Sequence, residues 1–238
     1  METSAYNRHI DNFSQHWWAQ ARKKIFQEII KKNLKKNLNI LDFGSGSGAN
    51  IEMLSKFGFV NIYEPHIKTR KYLKSKYKNK IKFRVLSKIG NNKFDLILLA
   101  DVLEHIKKDT NQIKILEKNL NKNGCILITV PAYQFLFSTK DILLKHYRRY
   151  NKNEIKKIFK KFHTVKLTYF NFFLFPFIAL TIIFCKVLKI KFIKTVENTP
   201  NNIINKILLK IFSIEKEIIN IINFPCGVSI LGLFKKND

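Results

Sequence analysis

Leu38-Asn39-Ile40-Leu41-Asp42-Phe43-Gly44-Ser45-Gly46-Ser47-Gly48-Ala49-Asn50 is the stretch on which the reading of the chain turns. Leu38 to Phe43 is a short apolar run bounded by Asn and Gly, the pattern of a buried strand and not of a helix. Glycines follow at alternate positions, 44, 46 and 48, and Ile51-Glu52-Met53-Leu54-Ser55-Lys56 then reads as helical. Alternating glycines let the main chain turn tightly and approach a bound molecule where a Cβ would intrude. The helix behind them offers unpaired N–H groups and the positive end of its dipole. The stretch is a strand, loop and helix built around a nucleotide. It lacks the Lys-Ser/Thr pair of a phosphate-binding loop, and its third glycine comes one residue too early for the Gly-x-Gly-x-x-Gly of dinucleotide enzymes.

Outward from this stretch, strands and helices alternate. Residues 10 to 34 predict a helix, because Ile10, Phe13, Trp17, Trp18, Ala21, Ile25, Ile29 and Ile30 recur every three to four positions. Arg22 falls inside it, beside a core-facing aromatic pair. Phe59 to Tyr63 predicts a second strand ending in Glu64, where an acidic side chain can accept both hydroxyls of a ribose or simply face solvent before Pro65. Lys68 to Lys80 predicts a basic surface helix, Ile81 to Leu86 a third strand and Phe94 to Ala100 a fourth. The last is apolar throughout, as in a parallel sheet covered on both faces. Asp109 to Leu120 predicts an amphipathic helix, Cys125 to Val130 a fifth strand ending at Pro131, Lys152 to Phe162 a helix and His163 to Tyr169 a sixth strand. The class is α/β, with a doubly wound, seven-stranded, Rossmann-like sheet.

The alternation breaks after the sixth strand. Phe172 to Cys185 is apolar on every side, with lysines at 186, 189, 191 and 194, and is too short for the ~20 residues of a bilayer span. Pro176 is expected to break it early. Residues 201 to 222 predict an amphipathic helix, with Ile204, Ile207, Leu208, Ile211, Ile214, Ile218 and Ile221 on one side. Gly227 to Phe234 predicts the seventh strand. The expected organisation is therefore an N-terminal cap helix over 1–37, a nucleotide-binding core over 38–170, a hydrophobic helical insertion over 171–225 and the final core strand over 226–238. A greasy segment and an amphipathic helix ringed by lysine suit an anionic membrane interface, a dimer interface or a lid.

Composition sets wider limits. At 238 residues one α/β domain can bury a sizeable core. Cys125, Cys185 and Cys226 lie far apart and are odd in number, which argues against a disulfide framework and fits a reducing cytoplasm. The N-terminus has neither a basic start nor an apolar core, so no secretory signal is expected. The net charge of +27 invites an anionic partner, yet the lysines are spread along the chain, as an AT-rich coding sequence would also give.

Taken together, Gly44-x-Gly46-x-Gly48, Glu64, Phe94-Asp95-Leu96-Ile97, Asp101-Val102-Leu103-Glu104-His105 and Asn123-Gly124-Cys125-Ile126-Leu127 resemble successive motifs of class I S-adenosyl-L-methionine (SAM)-dependent methyltransferases. Residues 15 to about 170 take part. The chain is most similar to a bacterial branch carrying Trp-Trp-x-x-Ala-Arg, here Trp17 to Arg22, then Val-Pro-Ala-Tyr, here Val130 to Tyr133, and Asp-x-x-x-x-His-x-Arg-Arg-Tyr, here Asp141 to Tyr150. The resemblance implies that Gly44, Gly46 and Gly48 approach the methionine moiety of SAM, with Asp42 in the same set. Glu64 would hold the ribose, and Ala100 and Asp101 would meet the amino-acid end, whose carboxylate Arg22 could pair. The acidic residue usually found after the third strand for the adenine amine is replaced by Leu86-Ser87-Lys88.

Methyl transfer to a hydroxyl needs positioning and a base. His105 and His146 are the candidate proton acceptors, since both fall near strand tips and histidine titrates near neutrality; a purely structural role for His105 stays open. No metal site is assigned, although Asp101, Glu104, His105 and His146 form an alternative ligand set. Tyr133, Arg148 and Arg149 are the substrate-side candidates, the arginines suiting phosphate or carboxylate, or else an ion pair with Asp141. The expected protein is a cytoplasmic methyltransferase, peripheral on the inner membrane face, acting on a small-molecule, amphipathic or lipid-linked acceptor. An RNA methyltransferase is the alternative, although nucleic acid is the less favoured partner, and a degenerate SAM-fold scaffold is the non-enzyme alternative.

Overall fold

In the computed structural model the described residues are 15–78, 80–189 and 200–237. Ile10 and Phe13 of the expected first helix, and Lys191 and Lys194, lie outside them. In chain order the elements are α1 (Trp17–Asn33), β1 (Leu38–Phe43), α2 (Ile51–Leu54), β2 (Gly58–Tyr63), α3 (Ile67–Tyr77), β3 (Phe83–Leu86), β4 (Phe94–Ala100), α4 (Asp109–Lys118), β5 (Leu120–Pro131), α5 (Thr139–Leu143), α6 (Lys152–Ile158), β6 (Phe162–Phe170), α7 (Phe175–Val187), α8 (Asn202–Ile218) and β7 (Ser229–Lys236).

All seven strands form one sheet in the order β3-β2-β1-β4-β5-β7-β6. β1 pairs in parallel with β2 on one side and β4 on the other, and β5 extends the parallel set. β7 runs antiparallel between β5 and β6. The apolar runs seen in the sequence occupy the centre: Ile40, Leu41, Leu96 to Leu99 and Ile126 to Ile128 are all buried. Buried on both faces, such strands need no alternation of apolar and polar residues.

Two differences from the sequence expectation have plain causes. β5 begins at Leu120 and not at Cys125, because its pairing with β4 jumps from Phe94↔Leu120 to Leu96↔Cys125. The polar residues Asn121 to Asn123 are accommodated in this irregularity, with Asn123 at φ 62°, so they hid the strand's start. Pro176 does not break α7. It sits in the helix's first turn, where a missing N–H costs nothing and its fixed φ is helical.

The inserted helices are tied to the core at several points, two of them around Phe212 and Glu215. α8 packs along α1, where Phe212 is wholly buried and its ring stacks on Trp18 at 5.1 Å and on Phe170 at 5.8 Å. One turn further on, the Glu215 carboxylate accepts the backbone N–H groups of Asn171 and Phe172, each at 2.7 Å, and of Phe173 at 3.3 Å. This fixes the chain where it leaves β6, with Asn171 at φ 56°.

Burial raises the Glu215 carboxyl to about 7, against the pull of its three N–H donors. A carboxyl held above its unfolded value contributes its stability in the protonated form; the contribution is full below about 4.5 and is lost as pH rises through about 7. We therefore expect urea denaturation to show lower stability at pH 8 than at pH 5. Replacing Glu215 by Gln should remove that component of the slope, and an unchanged slope would assign it to other groups.

Candidate cofactor and catalytic site

The loops that follow β1 and β4 diverge at the C-terminal edge of the sheet, because the chain moves outward from β1 in one direction and from β4 in the other. The glycine loop lines one side of this crevice. Gly44 has φ 75° and lies so close to Val102 that a Cβ would come within 2.9 Å of its Cγ2. Gly46 has φ 50°, but a Cβ there would meet nothing nearer than the Gly44 carbonyl at 3.9 Å. A side chain at 46 would thus project into the open space before the loop. Glu64, buried just beyond the end of β2, ties the glycine loop to the loop after β2: it accepts the Gly46 N–H at 2.9 Å and the His66 N–H at 2.9 Å. Each carboxylate oxygen takes one N–H, so each keeps acceptor capacity for a hydroxyl.

The opposite side is built by Asp101 at the tip of β4. Its φ of 57° turns the chain sharply out of the strand. One carboxylate oxygen accepts the Thr129 hydroxyl at 2.9 Å and the other pairs with Arg22, which α1 brings in from above. Arg22 was expected to meet the cofactor; the structure pairs it with Asp101. Its Nε is nevertheless buried and unpartnered, as are Asp42 Oδ2 and Asn50 Oδ1 around the same loop. Burial pushes the Asp42 carboxyl up to about 7, with Arg22 drawing it down and Glu64 pushing it further up. Buried polar atoms without partners are costly, and three of them beside an open glycine loop fit a polar ligand with donors and acceptors of its own. Ala100, half-buried, ends β4 opposite Thr129.

Beyond Asp101 the chain forms a single 3₁₀ turn, Leu103–His105. Here three potential ligands converge: one atom each from Glu104, His105 and His146 lie within 4.8 Å of one another. The two imidazole rings meet edge to face at 4.6 Å. Glu104 is wholly buried and neither carboxylate oxygen has a hydrogen-bond partner; burial, then the neighbouring Asp101, hold its carboxyl well above the usual range. Burial and the adjacent His146 lower the His105 imidazole below its ordinary value. His146 shares a 2.8 Å hydrogen bond with Asp141 through Nδ1. Asp141 also receives the Arg149 Nε at 3.0 Å and the Ser138 N–H at 2.8 Å. Burial alone would raise its carboxyl, but the His146 and Arg149 hydrogen bonds hold it well below the carboxylate range.

The arginines expected on the substrate side are engaged within the protein. Arg149 is buried and also donates to the Ala132 carbonyl at 3.3 Å. Arg148 pairs with Asp109 at 3.2 Å and donates to the Lys107 carbonyl at 2.9 Å. Of these two ion-pair partners, Asp109 and Asp141, the sequence suggested only Asp141. Tyr133, expected on the substrate side, has φ 60°, stacks on Tyr169 at 5.0 Å and lies 5.6 Å from the Phe175 ring. Asp141, the first residue of the Asp-x-x-x-x-His-x-Arg-Arg-Tyr motif but given no role toward histidine from the sequence, is the group that orients His146. Its separation from His146 by five positions was the available signal.

The chain matches the profile of the methyltransferase-domain family over residues 9–164. It belongs to that family. It is an enzyme, a class I SAM-dependent methyltransferase. A ubiquinone biosynthesis O-methyltransferase from Pelagibacter ubique is 27% identical over 177 residues, which cover 60% of this chain and 74% of that protein. Two solved structures share the fold: a putative methyltransferase from Bacillus halodurans (16% identity, 90% and 99% of the two chains, TM-score 0.58) and the N-methyltransferase NodS from Bradyrhizobium japonicum in complex with S-adenosylhomocysteine (12% identity, 91% and 87%, TM-score 0.54).

For this methyltransferase the glycine loop and Glu64 are the groups to test. By calorimetry, Gly46→Val should abolish SAM binding, since the new side chain fills the space before the loop and strains a positive φ. Glu64→Ala should weaken it by about 1–3 kcal/mol, the range for losing a bond to a charged group. Full affinity in both variants would move the cofactor elsewhere.

Proposed function

We propose that this methyltransferase transfers the methyl group of SAM to a hydroxyl oxygen of an amphipathic or lipid-linked acceptor met at the cytoplasmic face of a membrane. Glycine loop, Glu64, Asp42 and Asp101 are the cofactor residues in this reading, with Arg22 placing Asp101. The observation that carries it is the His105–His146 pair beside the tip of β4, with His146 anchored on an ionised Asp141.

When bound, SAM supplies an electrophilic methyl group. The protein's part is to hold the hydroxyl and take its proton. With Nδ1 directed at Asp141, His146 is fixed as the Nδ1–H tautomer, which leaves the Nε2 lone pair free. A hydroxyl donating to Nε2 would give up its proton there as its oxygen takes the methyl group, the carbon–sulfur bond of the donor breaking to leave S-adenosylhomocysteine, and the resulting imidazolium would be stabilised by the Asp141 carboxylate. Tyr133, Phe135 and Phe175 give this side of the site an aromatic wall suited to an apolar acceptor. The name of the Pelagibacter ubique relative, a ubiquinone biosynthesis O-methyltransferase, supports both the oxygen and the small amphipathic acceptor. An RNA acceptor is less well supported. Of two lysine-lined grooves, that of Lys24, Lys206, Lys210 and Lys216 (about 440 Å³) has no aromatic ring on which a base could stack, and that of Lys74, Lys78 and Lys82 (about 820 Å³), which includes Phe59 and Phe83, lies at the β3 edge of the sheet, three strands from β4.

A second reading of the same residues is favoured by Glu104, whose buried, unpartnered carboxylate lies against both imidazoles. Glu104, His105 and His146 suit a divalent cation of intermediate hardness, and the Asp141 bond is the kind of support that orients a ligating histidine. Such an ion would supply charge to bind and acidify the acceptor hydroxyl.

The acceptor is tested by incubating the protein with labelled SAM and separate lipid, RNA and protein extracts. Label should appear in the lipid fraction, and label confined to RNA would overturn the acceptor reading. His146→Ala should lower turnover by about 10²–10⁴-fold, the scale of one acid–base group, with SAM affinity nearly intact. Parallel loss of SAM binding would make His146 structural. Chelation separates the two readings: activity that survives dialysis against a chelator leaves the histidine as base, whereas activity lost and restored by Mg²⁺, Mn²⁺ or Zn²⁺ assigns the cluster to an ion.

A further inference from the structure

We propose that the outward face of α7, with Phe135 and the end of α5, is a docking surface for an anionic phospholipid bilayer, which it holds against the mouth of the site. The proposal rests on the acceptor reading above and adds how the enzyme meets its membrane.

α7 has two unlike sides. Leu174, Ile178, Ala179, Ile182 and Cys185, at helical spacing, turn inward and are buried or half-buried. The other side is bare: Phe177 is 71% exposed, Leu180 66%, Phe184 61% and Val187 73%. This apolar surface is continuous with the site. The Lys186 ammonium, near the end of α7, donates to the Phe135 carbonyl at 2.7 Å, and the Phe175 ring, at its start, lies beside Tyr133. Phe135 is itself exposed, as are Ile142, Leu143 and Leu144 on the next element. The backbone at Leu144 and Lys145 approaches the His105 ring. The bare surface thus runs from α7 to the rim of the histidine pair.

Three observations select a bilayer as the occupant. Exposed apolar patches of this kind on a water-soluble face mark an interaction site. A protein partner is ordinarily specified by hydrogen bonds, about one per 100–200 Å², yet the outward side of α7 offers none. The Thr181 hydroxyl is turned back onto the Phe177 carbonyl at 2.8 Å, and Lys186 is engaged with Phe135. A second copy is disfavoured by charge, because pairing through this face would bring the lysines along it, among them Lys145, Lys186 and Lys189, against a second chain of net charge +27. An apolar medium beneath anionic headgroups satisfies all three. No helix among the described residues is long and apolar enough to cross a membrane, so the contact is interfacial.

The test is flotation of the full-length protein with vesicles of equal parts phosphatidylcholine and phosphatidylglycerol, compared with phosphatidylcholine alone. At low salt the protein should float with the anionic vesicles, and added salt should weaken the association without abolishing it, since only the lysine attraction is screened. Replacing Phe177, Leu180 and Phe184 together by Ser should lower partitioning by about tenfold or more at high salt. Ile142→Ser with Leu143→Ser should act in the same direction, and Ile115→Ser, an exposed apolar residue on α4, should not. Because all these side chains are exposed, S-adenosylhomocysteine binding by calorimetry should be unchanged in every variant, which excludes misfolding. Wild-type protein that stays in solution with anionic vesicles at low salt overturns the docking face. So does a wild-type dimer in light scattering that the triple Ser variant dissociates. Methyl transfer to a lipid extract without vesicle binding would sink this surface alone and leave the acceptor chemistry standing.

Discussion

Everything in the molecule follows from the reversal of strand order beside β1. A parallel strand paired on both sides must send the loops of its neighbours apart, and the gap that opens at their C-terminal ends cannot be closed by the sheet itself. Here the gap is managed by backbone at positive φ on each side, Gly44 to Gly48 after β1 and Asp101 after β4. Each side is held by an acid, Glu64 on the Gly46 N–H and Asp101 on Arg22. The unpartnered atoms of Asp42, Asn50 and Arg22 lie around the same opening. Such a cost persists where a bound molecule supplies the missing bonds.

The catalytic side depends on a different kind of order. Asp141 gathers His146, Arg149 and the Ser138 N–H on one carboxylate, and Arg149 in turn holds the Ala132 carbonyl at the end of β5. The imidazole is thereby referred to the sheet through a buried arginine. Arginine suits this place because its planar fork fills two acceptors on Asp141 and remains charged when buried. The same geometry engages Arg148 with Asp109 and Arg149 with Asp141, within the protein.

Much of the fold was legible because the central strands are apolar on both faces and the loops between them carry Gly, Asn or Asp. β1 and β4 lie where the sequence put them. The glycine loop and Glu64 were legible for a related reason, since spacing along one βαβ unit fixes their distance. What could not be read were relations across long stretches of chain. Arg22 meets Asp101 and Glu215 meets the backbone of Asn171 to Phe173, and no local pattern encodes such pairings. Periodicity also failed for α7. A run apolar on all sides has no preferred face, and only the packing of Ile178 and Ile182 decides which side turns outward. The start of β5 was hidden because an irregular pairing tolerates polar residues that regular strands exclude.

Phe170, the last residue of β6, and Ser229, the first of β7, are direct partners in the antiparallel register. Everything between them is therefore an excursion that leaves and rejoins the sheet at one spot. A tight hairpin could join the same two residues without moving a single strand, and lengthening such a connection adds closure entropy only slowly. The sheet and its glycine loop are thus a fixed chassis, and the helices carried at this point are an exchangeable attachment. Descendants of one ancestral core can change what they approach by altering this attachment while the methyl-donor half stays as it is. For protein engineering, the junction at Phe170 and Ser229 is the place to graft a different acceptor-facing module, provided the graft also covers the Trp17 and Trp18 rings that Phe212 now shields.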